Sequence, residues 1–188
     1  VSSQKREDIL AAALRLVSKH GFHGASMAMI AAEAGSGAGT IYNYFPSKDA
    51  LLDALFRQIK IEFIQAMLAG ISDQDTYQTR FKRMWQNTIQ YYLTYPEKIA
   101  YLQQFHYSPY VSSETERFVA ESMAPILSLF EQAMAAGVLR PLPQPVLESL
   151  TLDVATSLAR RHHQGEIQLT EALIQDTAEA CWQALKAD

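Results

Sequence analysis

The stretch from Ala34 to Lys48 constrains the fold more than any other part of the chain. It reads Ala-Gly-Ser-Gly-Ala-Gly-Thr-Ile-Tyr-Asn-Tyr-Phe-Pro-Ser-Lys. A glycine-rich turn, a very short helix, a proline stop and a new helix cap follow one another without a spare residue. Gly35, Gly37 and Gly39 can each take a positive φ, so the turn can be tight. Pro46 cannot donate into a helical ladder and ends the short helix. Ser47 caps the next one, with Asp49 in its first turn, where a negative charge is favoured. A helix this short buries little, so its neighbours must hold it out to touch something. In the order helix, tight turn, short helix, that something is usually the major groove of DNA.

The flanking sequence is helical throughout. Ile9, Leu10, Ala13, Leu14 and Val17 predict a first helix from Glu7 to Lys19, with Gly21 as its stop. Ser26 caps a second from Met27 to Ala34, and Ala38 to Tyr44 forms the third. A long fourth helix runs from Lys48 to Ala69, with Leu51, Leu55, Ile59 and Phe63 along one face. Five more are expected over Thr76–Tyr95, Glu97–Phe105, Ser113–Ala136, Gln144–His163 and Thr170–Lys186. No period-2 strand pattern or internal repeat occurs. The expectation is an all-α, nine-helix chain. A three-helix, homeodomain-like helix-turn-helix head (1–47) precedes a larger helical body (48–188), and helix 48–69 couples the two.

The chemistry of the third helix suits nucleic acid. Thr40, Tyr42 and Tyr44 carry hydroxyls that match phosphate oxygens, and Lys48 adds a charge one turn beyond. Asn43 either makes a bidentate contact to adenine or is simply solvated. Ile41 and Phe45 point the other way, into the head. The net charge is −4, but residues 1–60 hold seven Lys/Arg against five Asp/Glu, while the remainder holds nine against fifteen. A weakly positive head on an acidic body suits a protein that meets phosphate at one end only.

At these residues the chain resembles the TetR family of one-component transcriptional regulators. The matching positions are Ser26, Ile30-Ala31, Ala34-Gly35, Gly39-Thr40-Ile41-Tyr42, Phe45-Pro46-Ser47-Lys48-Asp49 and Leu51. The resemblance covers about residues 9–52 and implies DNA contacts from Ser26, Gly37, Ala38, Gly39, Thr40, Tyr42, Asn43, Tyr44 and Lys48. Where that family more often has Val-Ser-Lys, this chain has Ser36-Gly37-Ala38. Ser36 gives up an apolar anchor, Gly37 a capping side chain and Ala38 a phosphate-reaching cation. A gentler salt dependence of DNA binding is therefore expected, unless Lys5, Arg6 or Lys48 compensates.

The body is unusually aromatic between Tyr77 and Tyr110. The resemblance implies an effector pocket there, and Trp85, Tyr92, Tyr101, Phe105, His106 and Tyr107 are the candidate lining for an apolar or aromatic small molecule. The alternative is that these rings are ordinary core and surface. Two later helices carry apolar stripes through Leu150, Val154 and Leu158, and through Ile174, Ala178, Cys181 and Leu185. The resemblance implies a homodimer built on them; alternatively they face the body's own core.

Other function classes find little support. Arg160-Arg161-His162-His163 lacks the spacing of a metal site. No catalytic motif occurs, and Gly35 to Gly39 follows a helix, not the strand that a dinucleotide fingerprint requires. One cysteine, a polar N-terminus and no long apolar run lead to the expectation of a cytoplasmic protein without metal, cofactor or membrane partner. The expected function is a ligand-responsive repressor, released from a near-palindromic double-stranded DNA operator by a small effector. The alternatives are a helical protein-interaction module with a head that does not bind DNA, or a small-molecule-binding helical enzyme.

Overall fold

Helix ends in this chain are set where the sequence changes chemistry. In the computed structural model, which describes residues 2–187, α1 spans Ser2–Gly24, α2 Met27–Glu33, α3 Ala38–Tyr42 and α4 Lys48–Leu68. Then follow α5 (Tyr77–Thr94), α6 (Pro96–His106) and α7 (Ser113–Ala135). Helix α8 covers 144–163 and α9 spans Glu171–Leu185. Nine helices and no strand occur among the described residues; Leu139 and Lys186 form one isolated bridge. No described helix is long and apolar enough to cross a membrane.

Caps appear where hydroxyls fall. Ser26, Thr76 and Thr170 each accept from the backbone N–H three residues on. The expected stop at Gly21 is a sharp kink in α1, where φ is 70°, followed by one more turn to Gly24. Helix α3 is shorter than expected. The N–H groups of both Tyr44 and Phe45 return to the Ile41 carbonyl, which tightens the chain ahead of Pro46 and leaves Tyr44 outside the helix.

Contacts divide the chain into two compact units. The first comprises the chain up to Ile61 together with Glu97–Val119, and the second Glu62–Pro96 together with the chain from Ala120 onward. This grouping differs from the linear division at residue 47, because α6 and the start of α7 pack with the head.

In the first unit, Ile9, Leu10, Ile30, Ile41, Leu51 and Leu52 are completely or almost completely buried. An aromatic group closes this core: Phe105 stacks on Phe56 with centroids 4.5 Å apart, and Phe22 meets Tyr101 edge-on at 5.5 Å. The Tyr101 hydroxyl donates to the Leu52 carbonyl at 2.8 Å. Asp53 accepts from Thr115 Oγ1 at 2.6 Å and from Arg57 at 2.6 Å, and the Arg57 guanidinium lies over the Phe118 ring. The first turn of α7 is thereby fastened to α4.

In the second unit, α5 packs against α8 and α9. Helix α8 is not a regular α-helix. Gln144–Glu148 and Val154–His163 are α-helical, but Ser149–Asp153 between them is π-helical. Its buried positions are consequently Leu147, Thr151, Ala155 and Ala159, a strict spacing of four.

Replacing Tyr101 by Phe removes one buried hydrogen bond and no packing. It should lower stability by about 1 kcal/mol, read as a lower urea midpoint with an unchanged slope.

Candidate nucleic-acid interface and ligand cavity

Only one α3 side chain, Ile41, is buried. Gly37, Ala38, Gly39 and Thr40 before it and Tyr42 and Asn43 after it are exposed, Tyr42 at 54%. Tyr44 and Lys48 are half-buried beside it, and Ser26 is exposed at the start of α2. The sequence-derived candidates for DNA contact thus lie within the same unit, on or flanking the two short helices.

The turn into α3 uses less glycine freedom than the sequence allows. Only Gly35 has positive φ, 59°; Gly37 is extended with φ −65°. Gly37 is the N-cap of α3 and supplies no side-chain bond. Ser36 is half-buried, and its Oγ is fully covered without a hydrogen-bond partner. An interior hydroxyl left in this way costs free energy that an apolar side chain would not.

The head's cations are distributed in a way that sequence alone does not reveal. Lys5 Nζ donates to the Ala34 carbonyl at 3.2 Å and the Gly35 carbonyl at 3.0 Å, at the negative end of α2. Arg6 bonds Glu7 and Gln58 and lies 5.5 Å from the Phe45 ring centroid. Both are occupied in holding the head together. Lys48 has no partner among the described residues and remains available to an anion.

The aromatic candidates of the body do not come together. Tyr101 and Phe105 are in the core of the first unit, while His106 and Tyr107 are exposed, Tyr107 at 87%. Tyr92 is buried in the second unit, stacked on Phe63 at 5.3 Å. Burial pushes its phenol up to about 12, so it stays neutral. Of the six, Trp85 lines a cavity formed by helices of the second unit.

That cavity lies wholly within the second unit, and the space among its lining atoms, open solvent included, is about 500 Å³. Helix α5 contributes Phe81, Met84, Trp85 and Thr88; α7 contributes Met123, Ile126, Leu127 and Phe130. Met67 of α4 and Gln144, Leu147, Glu148, Thr151 and Leu152 of α8 complete the wall. The two threonine hydroxyls do not face a ligand as free groups. Thr88 Oγ1 donates to the Met84 carbonyl at 2.8 Å and Thr151 Oγ1 to the Leu147 carbonyl at 2.6 Å. Trp85 Nε1 is buried with no acceptor. The α7 and α8 contributions went unanticipated, although Met123, Ile126 and Phe130 have helical spacing.

The candidate dimer residues fall into two groups. Ala178, Cys181 and Leu185 are buried in the second unit's own core. Burial pushes the Cys181 thiol up to about 11, which keeps it protonated and unreactive. Leu150, Val154, Leu158 and Ile174 are only half-buried, and Leu173 is 37% exposed. No group of His, Cys, Asp and Glu among the described residues could hold a metal ion.

A tight turn that seats a short, exposed helix on two others is a helix-turn-helix module, the class of head that DNA-binding regulators carry. Comparison with known proteins makes this specific. Residues 9–55 match the model of bacterial regulatory proteins of the tetR family, and residues 76–186 match the tetracyclin repressor-like C-terminal domain. The chain belongs to the TetR family of helix-turn-helix transcriptional regulators. The crystal structure of a TetR family transcription regulator from Marinobacter aquaeolei is similar over 100% of this chain and 98% of its own, with 28% identity and a TM-score of 0.94. An HTH-type transcriptional regulator of Haemophilus influenzae is 26% identical over 181 residues, 96% of this chain and 95% of its own length. The regulator RutR of Escherichia coli is 47% identical over 57 residues, covering 30% of this chain and 27% of its own.

Ser36→Ala removes a hydroxyl without a partner from the head. It should raise stability by about 1 kcal/mol, measured as an upward shift of the thermal midpoint.

Proposed function

We propose that this regulator is a homodimeric repressor, released from a near-palindromic operator by a small, mainly apolar effector bound in the cavity of the second unit. The observation that carries the reading is α4. This one helix begins at Lys48, beside the exposed residues of α3, and reaches Met67 in the cavity wall. A ligand with different affinities for two positions of that wall therefore acts on the helix that follows the reader.

DNA binding is assigned to the exposed residues of the segment Gly37–Asn43, with Tyr42 and Thr40 on phosphates, Asn43 on a base edge and Lys48 as the principal nearby cation. Commitment of Lys5 and Arg6 to the head supports the expectation of few ionic contacts and a shallow salt dependence. One such segment reads few bases, so two are needed for a specific site. The half-buried residues Leu150, Val154, Leu158 and Ile174 supply the surface for a second copy; Ala178, Cys181 and Leu185 support it from within.

Tyr42→Ala should weaken binding to DNA flanking the gene by roughly tenfold, about the loss of one charge-assisted hydrogen bond. Thermal unfolding should be almost unchanged, because the side chain is largely exposed. Mobility shift and calorimetry together check both outcomes, and an equal loss of stability would show that Tyr42 is a core residue.

Leu158→Glu places a charge in the proposed contact between copies. Sedimentation at micromolar concentration should read monomer where the parent reads dimer, with the helical signal retained.

A further inference from the structure

We propose that the cavity takes a lipophilic cation, an apolar body bearing one ammonium group, and that Glu148 binds the charge. The inference rests on the reading of this cavity as the effector site and adds the chemistry of its occupant.

The wall contains no Lys, Arg or His. An anionic ligand would enter an apolar enclosure with nothing to neutralise it, a costly arrangement. The charge present has the opposite sign. Glu148 is half-buried at the α8 edge of the cavity and has no cationic partner among the described residues. Its carboxylate accepts from Gln144 Nε2, at 2.8 Å on Oε1, in an exposed hydrogen bond. The second carboxylate oxygen is left for a donor on the ligand.

The remainder of the wall suits a cation with a large apolar body. Phe81, Trp85 and Phe130 bring aromatic rings to the wall, and such rings attract cations as well as hydrocarbon. Met67, Met84 and Met123 are flexible and polarizable, so they can shape themselves to a chain or a ring. Both threonine hydroxyls are spent on backbone carbonyls and offer no donor to a ligand anion. Trp85 Nε1, buried and without an acceptor, is the wall's one unsatisfied donor; a single neutral acceptor on the ligand body would satisfy it.

The test uses three probes of one shape and different charge: 6-phenylhexylamine, 6-phenylhexan-1-ol and 6-phenylhexanoate. Each is titrated calorimetrically into the full chain and into Glu148→Gln at neutral pH. The proposal expects the amine to bind roughly tenfold more tightly than the alcohol, and the carboxylate most weakly. In Glu148→Gln the amine should fall to the level of the alcohol, while the alcohol's own affinity and the thermal midpoint stay as in the parent. If the amine and alcohol bind equally to the parent, the charge assignment is overturned while the effector cavity stands. If the amine's preference survives in Glu148→Gln, the assignment to Glu148 is overturned. If none of the three binds, the effector-cavity reading fails and the proposal fails with it.

Discussion

A helix of five residues has no stability of its own in water, because nucleating it costs more than its few hydrogen bonds return. The reader α3 exists only because Ile41 is driven fully into the core beneath it, with Phe45 buried just beyond. Everything that α3 presents to solvent depends on that anchoring. The rest of the first unit then serves to make the socket rigid. Ile9, Leu10 and Ile30 form its floor, Lys5 pins the carbonyl end of α2, and Phe56, Phe105 and Tyr101 close it from α4 and α6. Removal of this apolar support would not weaken the contact residues one by one; it would dissolve the helix that carries them.

Local features of the chain were well marked in its sequence. The Gly35 turn, the Ser26 cap, the Pro46 stop and the inward Ile41 are each decided by residues within a few positions of one another. Their chemistry leaves few choices. Helix number and order were legible for the same reason, since each break is written in Gly, Pro or a capping hydroxyl. Where Lys5 ends up could not be read in this way. Its carbonyl partners lie about thirty residues away, and a flexible cation near the N-terminus looks the same whether it meets a phosphate or a helix end.

The cavity shows the limit more clearly. Aromatic residues crowded between Tyr77 and Tyr110 in sequence, but proximity along two successive helices is not proximity in space. Residues of α6 turned to the head, where Tyr101 and Phe105 fill its core, and those of α5 turned to the second unit. The wall was completed instead by residues such as Met123, Ile126 and Leu127 on α7 and Leu147 and Leu152 on α8, which carry no mark that distinguishes a lining from a filling. The last helix was ambiguous in a similar manner. Ala178, Cys181 and Leu185 have the spacing of an interface, yet the same spacing serves a core, and only burial separates the two uses.

The π-helical turn of α8 bears on how this body can change over evolutionary time. Buried positions at 147, 151, 155 and 159 recur every four residues, whereas a regular α-helix would alternate intervals of four and three. The segment Ser149–Asp153 therefore contains one residue more than the packing around it requires. Loss of a single residue there would restore the ordinary alternation and leave the inward faces on both sides of the turn where they are. The same deletion anywhere else in α8 would swing all that follows it by about 100°, the angle of one α-helical step. Length variation that would break any other helix of this body can be absorbed at this turn.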